Sequence, residues 1–372
     1  MVLQRFVNMK IADVIQPLEL IAPLAYQESY DNAGLITGNA AWDCTGIICS
    51  LDATEDVVNE AINKRCNLIV AHHPIIFGGL KKITGRNYVE QTIIAAIKNN
   101  IAIYAIHTNL DNIHQGVNNK IADKLNLINR KILSPRQNLL NKLYTFVPVE
   151  QADRVREAIF ATGAGEIGNY NEVSFNNEGF GTFKGNDQTN PFVGTPGQRH
   201  REQEIKMEII FPSYLQSKVI SALLQSHPYE EVAYDIVSLH NTFNQVGSGL
   251  IGELTSPVAE EQFLQEIKRV FAVEMVRHTN LLNKPIQKVA VCGGAGSFLT
   301  SKAISAGADI YITADVKYHE FFDAENKIIL ADIGHWESEQ YTIDLLFDVL
   351  QAKFPTFAVL KTEVRTNPVF YY

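Results

Sequence analysis

The stretch Leu68-Ile69-Val70-Ala71-His72-His73-Pro74-Ile75-Ile76-Phe77 carries an apolar, β-rich run into two adjacent imidazoles and a proline. Proline has no N–H to donate, so it stops a sheet ladder at that point. Adjacent strand residues point to opposite faces. His72 and His73 can therefore serve one site only if the backbone turns there, as a strand end before proline allows. Held that way, they are candidate ligands for one metal ion or two. The competing reading is one packed histidine and one solvated one.

Outward from this strand the chain reads as alternating α/β structure. Residues 46–51 form a strand and 53–64 a helix, with Val57, Val58, Ala61 and Ile62 on one face. Strand, helix and the His-His strand make a βαβ unit with parallel pairing. Residues 9–25 have helical spacing, and 28–35 form a polar turn leading to a short strand that reaches Gly38. The glycine-rich, basic segment 77–86 reads as a solvated loop or as a lid bringing positive charge to an anionic substrate. A helix follows over 90–98. The strand 101–106 then ends in His107-Thr108-Asn109-Leu110-Asp111, and a helix over 116–127 comes next. Open α/β sheets carry their chemistry at such strand ends.

The rhythm changes near Leu133-Ser134-Pro135. From there the order is strand 143–149, helix 151–162, strands 170–175 and 181–183, strand 205–211, helix 214–226 and strand 232–238. That is a ferredoxin-like α+β pattern, with a polar excursion over 186–201. The α/β rhythm returns after Gly252: helix 258–271, strand 288–292, a glycine-rich turn over 293–297 and strand 308–313. A further strand (328–330), a helix (339–350) and a last strand (357–360) complete it. The expected organisation is two similar α/β halves, 1–135 and 246–372, interrupted by an insert over 136–245. A gapless internal repeat supports the two halves: residues 57–73 align on 299–315, with His73 on Asp315. Chance likeness between two βαβ units is the alternative.

Composition narrows the function classes. With 372 residues, more than one core is expected. A net charge of −9 counts against a nucleic-acid binder. The four cysteines, Cys44, Cys49, Cys66 and Cys292, show no close pairing and read as reduced side chains. Residues 1–6 lack a long apolar run, so no secretory signal is expected. No run approaches a membrane span. The expected location is cytoplasmic.

His335 and Glu339, four residues apart at a helix start, share one face. A capping histidine with a first-turn glutamate is the plainer account. Together with His72, His73 and Asp111 they make three imidazoles and two carboxylates, more than one tetrahedral zinc needs. The set suits two divalent ions, Zn, Mn, Fe, Co or Ni, able to generate a hydrolytic nucleophile. His107 is expected to support Asp111 from outside. Glu337 is the candidate catalytic proton shuttle, with a solvated first-turn carboxylate as the alternative.

Three motifs, His72-His73-Pro74-Ile75-Ile76-Phe77, His107 to Asp111 with Gly116-Val117-Asn118, and Gly334-His335 to Glu339, carry a family resemblance. Over about 5–130 and 245–370 the chain resembles the Nif-three-like dinuclear-metal hexamer family, also labelled GTP cyclohydrolase 1 type 2 homologues. Tyr30-Asp31-Asn32-Ala33-Gly34-Leu35 is similar to the family's N-terminal motif, with Tyr30 where tryptophan is usual. Ala314 stands where glycine is frequent. The resemblance implies that His72, His73, Asp111, His335 and Glu339 bind two metals, Glu339 bridging. It also implies a toroidal homohexamer with sites facing an internal cavity. The insert resembles PII-like or CutA-like domains, and His227-Pro228-Tyr229-Glu230 is similar to a CutA-like turn. Such an insert is expected to trimerise; His227 reads as a turn residue or a further metal ligand.

The leading functional expectation is a metal-dependent hydrolase acting on a nucleotide-like or other small anionic substrate. The alternative is a non-catalytic regulatory or metal-handling protein with a PII-like sensor. No nucleic-acid or membrane partner is expected.

Overall fold

A computed structural model describes residues 9–372; the readings of residues 1–6 and of the resemblance's first residues lie outside the described region. The chain divides into two compact units, one of Met1–Pro135 with Asn244–Tyr372, the other of Arg136–Phe243. Among the described residues no helix is long and apolar enough to cross a membrane.

The first stretch runs α1 (Ile11–Ile21), β1 (Gly34–Thr37), β2 (Ile47–Ser50), α2 (Glu55–Asn63), β3 (Leu68–Ala71), α3 (Tyr88–Lys98), β4 (Ala102–Ala105), α4 (Thr108–Asp111), α5 (Val117–Lys124) and β5 (Ile128–Gln137). Helix starts follow capping chemistry. The Thr54 and Asn87 side chains accept from the Val57 and Glu90 amides, satisfying donors that a first turn leaves open. The loop before α3 is tied down by Glu90, whose Oε2 accepts from Thr84 N at 2.7 Å and Arg86 N at 3.1 Å.

The insert holds β6 (Leu140–Pro148), α6 (Ala152–Phe160), β7 (Ser174–Phe183), β8 (His200–Pro212), α7 (Gln216–Ser226) and β9 (Tyr234–Leu239). Its sheet order is β7-β8-β6-β9, every pair antiparallel. That is the ferredoxin-like arrangement. Leu143, Val147, Met207 and Ile209 of the sheet pack with Val155, Ile159, Val219 and Leu223 of the helices. The two strands expected at 170–175 and 181–183 are one, Ser174–Phe183, paired along its length with β8. Gly179 and Gly181 lie within it, paired with Glu204 and Glu202 of β8.

The chain returns through β10 (Thr242–Val258), α8 (Glu260–Phe271), β11 (Arg277–His278), β12 (Ile286–Ala295), α9 (Thr300–Ser305), β13 (Ile310–Ala314), β14 (Ile329–Asp332), α10 (His335–Glu339), α11 (Thr342–Lys353) and β15 (Val359–Lys361). The larger unit has two sheets, β1-β4-β3-β2-β15 and β11-β14-β13-β12-β10-β5. In the first, β15, β2, β3 and β4 run parallel; in the second, β12, β13 and β14 do. The halves are not closed on themselves. The last strand leaves the second half and pairs with β2, Val359 opposite Ile47, because the edge of β2 needs a hydrogen-bonding partner. The single helix expected at 339–350 is two, α10 and α11.

Candidate metal centre

Parallel pairing brings like strand ends together, so the residues that follow β2, β3 and β4 converge: Asp52, His72 with His73, and His107 with Asp111. The other sheet delivers Asp315 after β13 and His335 with Glu339 on α10 after β14. His73 and Asp315, matched in the internal repeat, line the same cavity of about 710 Å³.

Four imidazoles are each gripped at Nδ1 from outside the centre. His72 Nδ1 lies 2.8 Å from the Ile106 carbonyl oxygen. A carbonyl only accepts, so that nitrogen carries a hydrogen. His73, His107 and His335 hold carboxylates through Nδ1: Asp52 at 2.8 Å, Asp31 at 2.8 Å and Asp315 at 2.6 Å. Thr108 N and Oγ1 donate to Asp31 in turn, and Thr366 Oγ1 to Asp52. Asp315 adopts a left-handed φ of 53°, which aspartate tolerates better than most residues. Outer partners of this kind orient imidazole ligands.

Glu339 stands at the focus, 3% exposed. Its Oε2 lies 3.0 Å from His73 Nε2 and 3.2 Å from His335 Nε2, and its Oε1 lies 3.9 Å from His72 Nε2. Gly294 makes the space: at φ +64° its Cβ would fall 2.4 Å from Glu339 Oε1. Three groups of donor atoms are close enough to hold an ion: His72, Asp111 and Glu339; His73, His335 and Glu339; and His72, His73 and His107. Glu339 belongs to two of them. His72 Nε2 and Asp111 Oδ1, 3.5 Å apart, are buried without hydrogen-bond partners. Orphaned buried polar atoms are costly, and a divalent cation is the group that this all-N/O donor set would satisfy.

The electrostatics are those of a cation site. Burial and the Glu339 charge push Asp111 up to about 7. Burial would also raise Glu339, but the hydrogen bonds from His335 and His73 hold it well below the usual carboxylate range. Burial would lower His73 and His335; bonds to Asp52 and Glu339 bring His73 to about 10, and bonds to Asp315 and Glu339 bring His335 to about 11. The Cys292 thiol, pushed up to about 12 chiefly by burial, stays protonated at the cavity wall.

His72, His73, Asp111, His335 and Glu339 meet here. His107 was expected behind Asp111; instead it joins His72 and His73, ring centroids 5.2 and 5.3 Å away. Glu337 is buried, not solvated, and its Oε1 accepts from Asn367 Nδ2 at 2.8 Å. Of the basic loop 77–86 only Phe77 lines the cavity; Lys81, Lys82 and Arg86 do not. His227 lies in the insert with both nitrogens used, Nε2 on the Phe146 carbonyl and Nδ1 accepting from Tyr229 N, which leaves no lone pair for a metal. Asp52, Asp315 and the stretch from Thr366 to Tyr371 were missed as site residues. The repeat had already pointed to the strand end at Asp315; nothing local marks Asp52 or the terminal stretch.

The chain is 39% identical over 368 residues to a protein of Halalkalibacterium halodurans named GTP cyclohydrolase 1 type 2 homolog, covering 97% of this chain and 99% of that one. A Bacillus subtilis protein of the same name is 38% identical over 325 residues, covering 87% of each. Among solved structures, a Bacillus cereus protein related to NIF3 superposes with a TM-score of 0.85 at 36% identity, covering 98% of this chain and all of that one. The family model described as Duf34/NIF3 (NGG1p interacting factor 3) matches residues 9–368. The protein is therefore a member of the Duf34/NIF3 family.

Proposed function

We propose that the cavity holds two divalent cations and that the loaded protein hydrolyses a small anionic, nucleotide-like substrate. The carrying observation is the orphaned pair His72 Nε2 and Asp111 Oδ1 beside a glutamate whose two oxygens face different imidazoles. In this reading His72, Asp111 and Glu339 would hold one ion, and His73, His335 and Glu339 the other. Bound there, the ions supply Lewis-acid polarisation and a nucleophile near neutral pH. The protein's part is to fix the donors. The Asp52 and Asp315 carboxylates lock the rings of His73 and His335, and Glu337, which lines the cavity, is the carboxylate assigned to proton transfer in this reading.

Charge supports the order of events. The cavity is lined by seven carboxylates and one guanidinium, that of Arg277. An anion would be repelled until cations neutralise the site. The curated relatives' name makes GTP the first substrate to test. The expected toroidal homohexamer, with trimerising inserts, belongs to this reading and is tested by light scattering.

The deciding experiment pairs elemental analysis with turnover. Protein loaded with Zn or Mn should convert GTP or a related small anion, and the His73→Ala, Glu339→Ala double variant should be inactive and metal-poor. Turnover surviving in the double variant would sink the proposal. One observation favours the reading without bond cleavage: the Glu337 carboxylate is already engaged by Asn367. In that case bound nucleotide is recovered unaltered from the metal-loaded protein.

A further inference from the structure

The insert contains a second cavity, of about 680 Å³, and it lies on the sheet face turned away from α6 and α7. Ile205, Met207 and Ile209 of β8 pack towards the helices. Strand alternation therefore sends Glu204 and Lys206 to the other face. The register sets Phe146 opposite Lys206, and Gly179 opposite Glu204. Phe192, from the excursion after β7, and Tyr229, from the turn after α7, complete the wall.

A carboxylate is built into this cavity. Glu204 is 6% exposed, and the Tyr229 hydroxyl donates to its Oε1 at 2.8 Å. A Cβ at Gly181 would fall 2.1 Å from Oε2, so the glycine clears the room that the carboxylate occupies. Sequestering an ionised carboxylate beside a neutral donor is costly without a cationic partner. Lys206, on the same cavity wall, is otherwise engaged: its Nζ is 3.0 Å from Glu208 Oε1 and lies over the Tyr144 ring. The walls are aromatic, with Phe183 and Phe192 centroids 5.8 and 6.4 Å from that of Tyr229. Ring faces attract cations, most strongly where water is excluded. The lining carries four glutamates against two lysines.

We infer that this cavity binds a small organic cation with an apolar body, an aromatic or quaternary amine. Its charged nitrogen meets Glu204 and its hydrophobic part lies among Phe183, Phe192 and Tyr229. The site is independent of the metal centre and of any hydrolysis there.

The test is calorimetry on the full-length protein with benzylamine, phenyltrimethylammonium, benzyl alcohol and benzoate. The two cations should bind at least tenfold more tightly than benzyl alcohol, and benzoate should not bind. Glu204→Gln should erase the preference for benzylamine over the alcohol. Phe192→Ala, at a half-exposed loop position that no strand or helix needs, should weaken the cations several-fold with the thermal transition unchanged. Equal binding of alcohol and amine, a cation preference surviving Glu204→Gln in folded protein, or no binding of any probe at millimolar concentration would each overturn the inference.

Discussion

The two cavities share a device and differ in their neighbours. In each, a glycine leaves room for a buried carboxylate: Gly294 for Glu339 and Gly181 for Glu204. Around Glu339 stand imidazoles, each gripped on its outer nitrogen, so the inner nitrogens converge on its two oxygens. At Glu204 the Tyr229 hydroxyl donates to the carboxylate, and the cavity is otherwise walled by phenyl rings, which offer faces rather than nitrogen donors. On the two proposals, the same buried charge serves inorganic cations in one place and organic cations in the other. Burial makes a carboxylate demand a partner, and the second ring of residues chooses which partner fits.

Glu339→Gln should break the comparison most sharply. It removes the shared ligand of both donor groups, so bound metal should fall by more than about 100-fold in affinity, read by elemental analysis after dialysis. Benzylamine binding should be unchanged. Leu143→Ala, in the insert core at 0% exposure, should cost about 2–5 kcal/mol. Urea unfolding should show that loss, and amine binding should fall while the metal complement of folded protein stays intact. Asp52→Asn and Asp315→Asn leave every first-contact donor in place but loosen a ring, and each should weaken metal binding by about 10–100-fold. A metal titration showing no change in either variant would mean that the outer carboxylates do not orient the imidazoles.

The smallest effect concerns the loop before α3. Hydrogen bonds from Thr84 and Arg86 hold the Glu90 carboxyl at about 2, below its ordinary 4.5. A depressed carboxyl stabilises the fold above its unfolded value, and that contribution fades as pH falls from about 4.5 to about 2. Glu90→Gln should therefore be less stable than the parent at pH 6, with the gap narrowing by pH 3 in urea unfolding. Neither cavity's ligand affinity at pH 7 should change by more than about twofold, since the group only anchors a surface loop.

Much of the site was legible because its chemistry sits at strand ends. An apolar run that stops in polar residues marks the carboxyl edge of a parallel sheet, and His72, His73, Asp111, His335 and Glu339 all follow such runs. The ferredoxin-like order of the insert was legible for a similar reason, since apolar period and turn residues survive in any context. Single residues were less readable. Asp52 and Asp315 look like ordinary acids after a strand until a histidine from elsewhere reaches them. The burial of Glu337, 6% exposed where a first-turn carboxylate also reads as solvated, was not legible, because the depth to which a side chain is buried depends on what packs over it.

The sequence by itself determined the donor types, the strand ends that carry them and the alternation of α and β elements, since these depend on local pattern and on the chemistry of each side chain. Only the tertiary structure decided that β15 crosses back to β2, that Glu339 turns one oxygen to His72 and the other to His73 and His335, and that Glu204 is enclosed by rings. The first two depend on pairings between residues hundreds of positions apart and the last on contacts between separate strands and loops of the insert, where edge hydrogen bonding and excluded volume choose among arrangements that local pattern leaves equal.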